Sequence, residues 1–209
     1  MSEVERISAL GVVVQKKALY GLLRFRKGTT ELDGRVEKLV DETMREGRSL
    51  LDTAAVRRNV VIEVTGEGCV EIDVGWLKLT GRSIAGHLEG SSRGTLMAVT
   101  IGGGISARVG ELSEAGEITR AAILDAFGSE AVEALADLLT ARIASDAKRA
   151  DCTLTGRFSP GYGDLSLDHQ SGLLEYVEAA RIGISLSETM AMVPEKSITA
   201  VIGWKERNR

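Results

Sequence analysis

The chain has 209 residues, 44% hydrophobic and 27% charged, the balance of an ordinary folded protein long enough to bury a sizeable core. A formal net charge of −4 and a pI near 5.4 argue against nucleic acid or an anionic membrane surface as the main partner. No apolar run is long enough for a membrane span, and Glu3 and Glu5 stand where a secretory signal would be basic, so a cytoplasmic location is expected.

Leu32, Val36, Leu39, Val40 and Met44 recur at helical spacing, with Glu37, Lys38, Asp41 and Glu42 on the other side; this predicts a helix. Val60 to Val64 is apolar and β-branched, as a buried strand should be. From Val70 to Leu79, Val70, Ile72, Val74 and Trp76 alternate with Glu71, Asp73 and Gly75, the pattern of one half-buried strand. Ser83 to Leu88 reads as a short helix, and Leu96 to Ile101 as a buried strand ending in Gly102-Gly103-Gly104. Residues 105–113 and 118–127 read as helices. Gly128 reads as an interruption and Ser129 as the N-cap of a new helix with Val132, Leu135, Leu139 and Ile143 as its core stripe. A strand from Thr153 to Phe158, a glycine turn, a helix from Ser171 to Arg181 and a strand from Ser197 to Gly203 complete the chain. Helices and strands mix without strict alternation, which predicts the α+β class; with no linker and no repeat, residues 1–209 read as one domain.

Several motifs point away from common chemistries. Cys69, Cys152, His87 and His169 have no neighbours at metal-ligand spacing, so no metal site is expected and both cysteines read as structural. Gly102-Gly103-Gly104 lacks both the dinucleotide and the Walker spacing and reads as a strand-to-helix turn. Met190 and Met192 read as core fillers, Lys196 and Ser197 as residues able to face a ligand, and His169 as a candidate for a pocket rim.

The turn Arg157-Phe158-Ser159-Pro160-Gly161-Tyr162 is the strongest signal. Arg157 ends a predicted strand and offers a planar fork suited to a carboxylate. Pro160 fixes φ, Gly161 permits close ligand approach, and Tyr162 can lay a ring on a ligand. On pattern alone an ordinary loop, with its arginine paired to a nearby acid, is the commoner arrangement. Glu130, Glu133 and Asp137 place three carboxylates along one helix face, which reads either as a solvated acidic face or as the cation-holding part of a site.

Arg157-x-x-x-Gly161-Tyr162, the helix Glu133-Ala134-Leu135-Ala136, Gly183-Ile184-Ser185-Leu186-Ser187-Glu188-Thr189 and the strand from Pro194 through Ser197-Ile198-Thr199 resemble the activation domain of cobalamin-dependent methionine synthase, in its free-standing small form. The resemblance is specific from about Thr119 to Gly203. It departs at Gly163-Asp164-Leu165-Ser166, where the large enzymes carry Pro-Ala-Cys-Pro. It implies a mixed or antiparallel twisted sheet with flanking helices. It also implies an S-adenosylmethionine site in which Arg157 takes the carboxylate, Glu133 the amino group, and Pro160, Gly161 and Tyr162 the remainder.

The activity so implied is that of an activation module supporting reductive remethylation of cob(II)alamin. The cobalamin would be carried by a partner methyltransferase, most naturally methionine synthase, and an external donor would supply the electron. Two outer segments that complete the ligand site in the large enzymes have no match here. That keeps open a non-catalytic subunit that caps a corrinoid protein without binding S-adenosylmethionine, and also a binder of some other zwitterion.

Overall fold

Three long strands, β2 (Ala54–Val64), β5 (Ser91–Thr100) and β9 (Ser197–Glu206), pair antiparallel and carry the molecule. The computed structural model describes residues 2–23, 34–66 and 68–207; Leu32, placed by its spacing in the first predicted helix, lies outside them. A seven-stranded sheet runs β4-β3-β2-β5-β9-β6, with β1 (Glu5–Ser8) pairing the first half of β2 while β3 (Cys69–Ile72) pairs its second half. β4 (Leu77–Thr80) and β6 (Cys152–Leu154) are the outer members. β7 (Ser185–Leu186) and β8 (Met192–Val193) form a separate small hairpin.

The two-residue period of the strands sorts their side chains to two cores. On one face Met97, Val99, Ile202 and Trp204 meet α5 (Ile118–Arg149) through Phe127, Leu135 and Leu139. α1 (Lys16–Leu22), α2 (Gly34–Ser49) and α4 (Gly104–Glu114) complete that layer. On the other face Val56, Leu96, Ala98 and Val201 meet α3 (Arg82–Leu88), α6 (His169–Tyr176) and a 3-10 turn at Ala179–Ile182. Sheet and helices are mixed as the α+β expectation required.

Four local expectations are corrected. The predicted strand from Val70 to Leu79 is a hairpin: Asp73, Val74 and Gly75 adopt positive φ (48°, 60° and 86°) and turn the chain, leaving Trp76 exposed. Gly128 does not interrupt, since α5 runs unbroken for 32 residues, and the Ser129 hydroxyl bonds back to Asp125 O at 3.2 Å instead of capping. The expected helix from Ser171 to Arg181 is α6 plus the 3-10 turn, parted by Glu178 at φ 56°. The expected strand from Thr153 to Phe158 pairs only over Cys152–Leu154, then rejoins β9 through a bridge between Phe158 and Val201. β1 was not foreseen; its Glu5, Arg6 and Ser8 give it no apolar face to read.

Among the described residues no helix is long and apolar enough to cross a membrane. Nor does any group of three His, Cys, Asp or Glu side chains stand ready to hold a metal ion.

Candidate functional site

β6 ends at Leu154; Thr155 still bonds Gly203 of β9 and Phe158 rejoins it through a bridge to Val201, but the first residues of β9 have no strand on their outer side. A cleft of about 470 Å3 opens there, within the range of about 300–1,000 Å3 usual for small-molecule sites. Its walls come from α5 (Glu133), the turn (Arg157, Ser159, Pro160, Tyr162), the approach to α6 (Leu167), the first turn of α6 (Gln170) and the β7–β8 hairpin (Met190, Ala191, Met192). Ser197, Ile198 and Thr199 of β9 form its floor.

The charged end is a clasp. Arg157 Nη2 donates to Glu133 Oε2 and to Asp137 Oδ1, both at 2.9 Å. Glu133 and Asp137 are one helical turn apart on α5, so a single nitrogen reaches both. Nη1 of the same guanidinium is buried and has no hydrogen-bond partner among the described residues. The three side chains sum to one negative charge. Both carboxylates face solvent (58% and 75% exposed), so the clasp contributes only about 0–1 kcal/mol and opens at little cost.

At the aromatic end, Tyr162 is 67% exposed, its ring tilted against Phe158 with centroids 6.4 Å apart, and Phe158 meets His87 at 5.0 Å. The turn that carries Tyr162 is bolted to α3. Asp164 accepts hydrogen bonds from the backbone amides of Arg82 (2.7 Å) and Ser83 (2.9 Å), the orphan donors at that helix start. Those amides, Ser83 first, hold the Asp164 carboxyl below its usual range. Thus Gly163-Asp164, where the sequence departs from its resemblance, supplies an anchor.

Glu133, Arg157, Pro160 and Tyr162 therefore share one cleft. Gly161 does not line it. Its φ of 89° suits glycine, its N–H donates to Leu165 O at 2.8 Å, and its part is to shape the turn. Met190 and Met192, expected in the core, are half-buried cleft walls. Ser197 reaches the floor as expected. Lys196 turns the other way, to Asp125 (2.7 Å) and Ser129 (3.0 Å) on α5. His169 is not on the rim; it packs on Thr80, its Nε2 2.9 Å from Oγ1.

Gln170 and Thr199 were missed. Gln170 sits at helical spacing with the apolar Leu173, Leu174 and Val177, and a lone amide on a buried stripe was the signal available.

No family model and no curated protein matches the chain. Among solved structures, a crystal structure of the MetH reactivation domain bound to AdoHcy is similar over 100% of this chain and 80% of that one, with a TM-score of 0.71 and 13% sequence identity. This chain has the reactivation-domain fold. The expected antiparallel sheet with flanking helices is borne out. Within the reactivation-domain fold, the cleft lies where β6, α5, α6 and the start of β9 converge.

Proposed function

We propose that the chain is an activation module for a cobalamin-dependent methyltransferase, methionine synthase first among them. It would bind S-adenosylmethionine and support reductive remethylation of cob(II)alamin carried by a partner, with the electron supplied from outside. The carrying observation is Arg157, which lines the cleft with Nη2 in an exchangeable clasp and Nη1 without a hydrogen-bond partner among the described residues. The similarity to a reactivation domain bound to AdoHcy supports the same reading.

The chemistry of the cleft fits the ligand. S-adenosylmethionine carries a carboxylate, an ammonium and a sulfonium, a net positive charge that complements the net negative Glu133–Asp137–Arg157 set. Its carboxylate would replace the two acids on the guanidinium, a bidentate match. Glu133, so released, would turn to the ammonium. Tyr162 and Pro160 would cover the apolar remainder, with Gly161 fixing the turn that presents them. The bound ligand supplies the methyl group. The chain itself orients that ligand toward a transiently docked partner, and orientation alone can contribute several kcal/mol to a methyl transfer. A cytoplasmic location goes with this reading.

One observation favours a second reading. Arg157 Nη2 and the Gly161 amide are both already bonded within the chain, as they would be in a subunit that caps a corrinoid protein without holding S-adenosylmethionine. Titration calorimetry separates the two. The activation-module reading expects saturable binding of S-adenosylmethionine, weakened roughly tenfold or more in Arg157→Ala through loss of a charge-assisted hydrogen bond. Absence of heat with the wild-type chain, together with binding to a cobalamin-loaded partner, would instead establish the capping subunit.

A further inference from the structure

The two acids of the clasp are not equivalent. Arg157 Nη2 bonds Glu133 Oε2 and Asp137 Oδ1 at the same 2.9 Å, yet Glu133 lines the cleft and Asp137 does not. Asp137 is 75% exposed, and Arg157 is its one ion-pair partner among the described residues. Its neighbours one turn away on α5 are Glu133, Ala134, Thr140 and Ala141, none of them basic. When a ligand carboxylate takes the guanidinium and Glu133 turns to the ligand ammonium, Asp137 is left as a carboxylate with no cation of this chain beside it.

We infer that Asp137 lets this cleft tell a sulfonium from a thioether: its charge is matched by the sulfonium of the methyl donor and unmatched once the methyl group has gone. This rests on the S-adenosyl reading above and adds what separates the donor from its spent product. S-adenosylmethionine brings one anion and two cations to a site of one cation and two anions. Arg157 takes the carboxylate and Glu133 the ammonium, which leaves the sulfonium and Asp137 as the remaining pair of opposite charges. Two methylene groups separate the sulfur from the carbon that bears both the carboxylate and the ammonium. A ligand held by its amino-acid end therefore keeps its sulfonium close to the clasp. Loss of the methyl group leaves the bonding electron pair on sulfur and turns the sulfonium into a neutral thioether. Binding of that form still breaks the Arg157–Asp137 bond, and no cation takes the place of the guanidinium. The sign of the effect follows from charge alone: neutralising Asp137 must disfavour the cationic ligand relative to the neutral one. Its size is that of an exposed ion pair, because Asp137 acts across solvent rather than by contact.

The test is calorimetry on the full chain with three ligands: S-adenosylmethionine, S-adenosylhomocysteine and sinefungin, in which a carbon bearing an ammonium stands in place of the methylated sulfur. Wild type is expected to bind the two cationic ligands more tightly than S-adenosylhomocysteine. Asp137→Asn should cut that preference by about two- to fivefold for both. It should leave S-adenosylhomocysteine bound at least as tightly as before, since Arg157 loses a competitor. Glu133→Gln, by contrast, should weaken all three ligands, which share the ammonium. A preference unchanged in Asp137→Asn would overturn the inference, and so would an equal loss for all three ligands, the mark of a structural role. A fall confined to S-adenosylmethionine would also overturn it, because the methyl group and not the charge would then be recognised. Failure of all three to bind the wild type would remove the S-adenosyl reading itself.

Discussion

Single side chains do most of the positioning in the cleft, and Asp164 shows how. It lies outside the cleft yet fixes the Tyr162 turn by accepting two amide hydrogens at the start of α3. Its carboxyl is held below the usual range, so the folded state favours the charged form. A depressed carboxylate stabilises above its unfolded pKa, about 3.9, and loses that stabilisation as pH falls through its lower folded value. Thermal unfolding of wild type and Asp164→Asn should therefore show wild type the more stable at neutral pH and the gap closing on acidification below about pH 4. A gap independent of pH would mean that the carboxylate's charge is immaterial to the anchor. At this scale the sequence was informative about Glu133 and Arg157, whose types imply a charged pair wherever they meet. It could not show that they already bind each other, because a helix residue and a turn residue are brought to 2.9 Å only by the sheet between them. Gln170 stayed hidden for the same reason: burial of a polar residue is a tertiary fact.

Among the elements, α5 carries the clearest lesson. Its apolar stripe was legible, but Gly128 looked like a stop because glycine lowers helix propensity by about 1 kcal/mol relative to alanine. The structure gives it a packing role. A Cβ on Gly128 would lie 2.7 Å from Ile105 Cγ2 and 3.4 Å from Lys196 Cε, so the glycine lets α4 and the Lys196 stem approach α5 closely. Gly128→Ala thus sets the propensity gain against an overpacking cost of about 1–3 kcal/mol, and packing should win. Urea unfolding is expected to show a net loss of up to about 2 kcal/mol, and a more stable variant would show that the contact yields easily. The β3–β4 hairpin misled for a different reason. Polar–apolar alternation continues straight through Asp73 and Val74, and only the left-handed turn, pinned by Val61 N donating to Asp73 Oδ1 at 2.7 Å, breaks the strand. Tyr176 on α6 closes that corner by donating to Asp73 Oδ2 at 2.6 Å; burial, with Asp73 beside it, raises its phenol to about 12.

For the molecule as a whole, the question is whether two hydrophobic cores behave as one. They lie on opposite faces of a single sheet, and neighbouring residues of the same strands feed both, Leu96 and Ala98 to one and Met97 and Val99 to the other. Ion pairs tie the periphery to this frame. Arg57 of β2 joins Glu5 of β1 at 2.6 Å and Asp146 of α5 at 2.5 Å, and Glu46 of α2 holds both Arg108 of α4 and Arg120 of α5 at 2.7 Å. Burial by itself would raise the Glu46 pKa, but bonds from the two guanidinium groups outweigh it and keep the carboxylate charged. Shared strands mean that neither core can open without exposing the back of the other, so unfolding should be all-or-none. Phe127→Ala in one core and Leu96→Ala in the other are each expected to lose about 2–5 kcal/mol. In a Trp76→Tyr background the buried Trp204 alone reports the first core by fluorescence, while far-UV circular dichroism reports both. Coincident urea midpoints by the two probes, shifted together in either variant, are the expected result. If Phe127→Ala moved the Trp204 transition and left the dichroism behind, the two faces would be separate cooperative units, and the reading of residues 1–209 as one domain would fall with them.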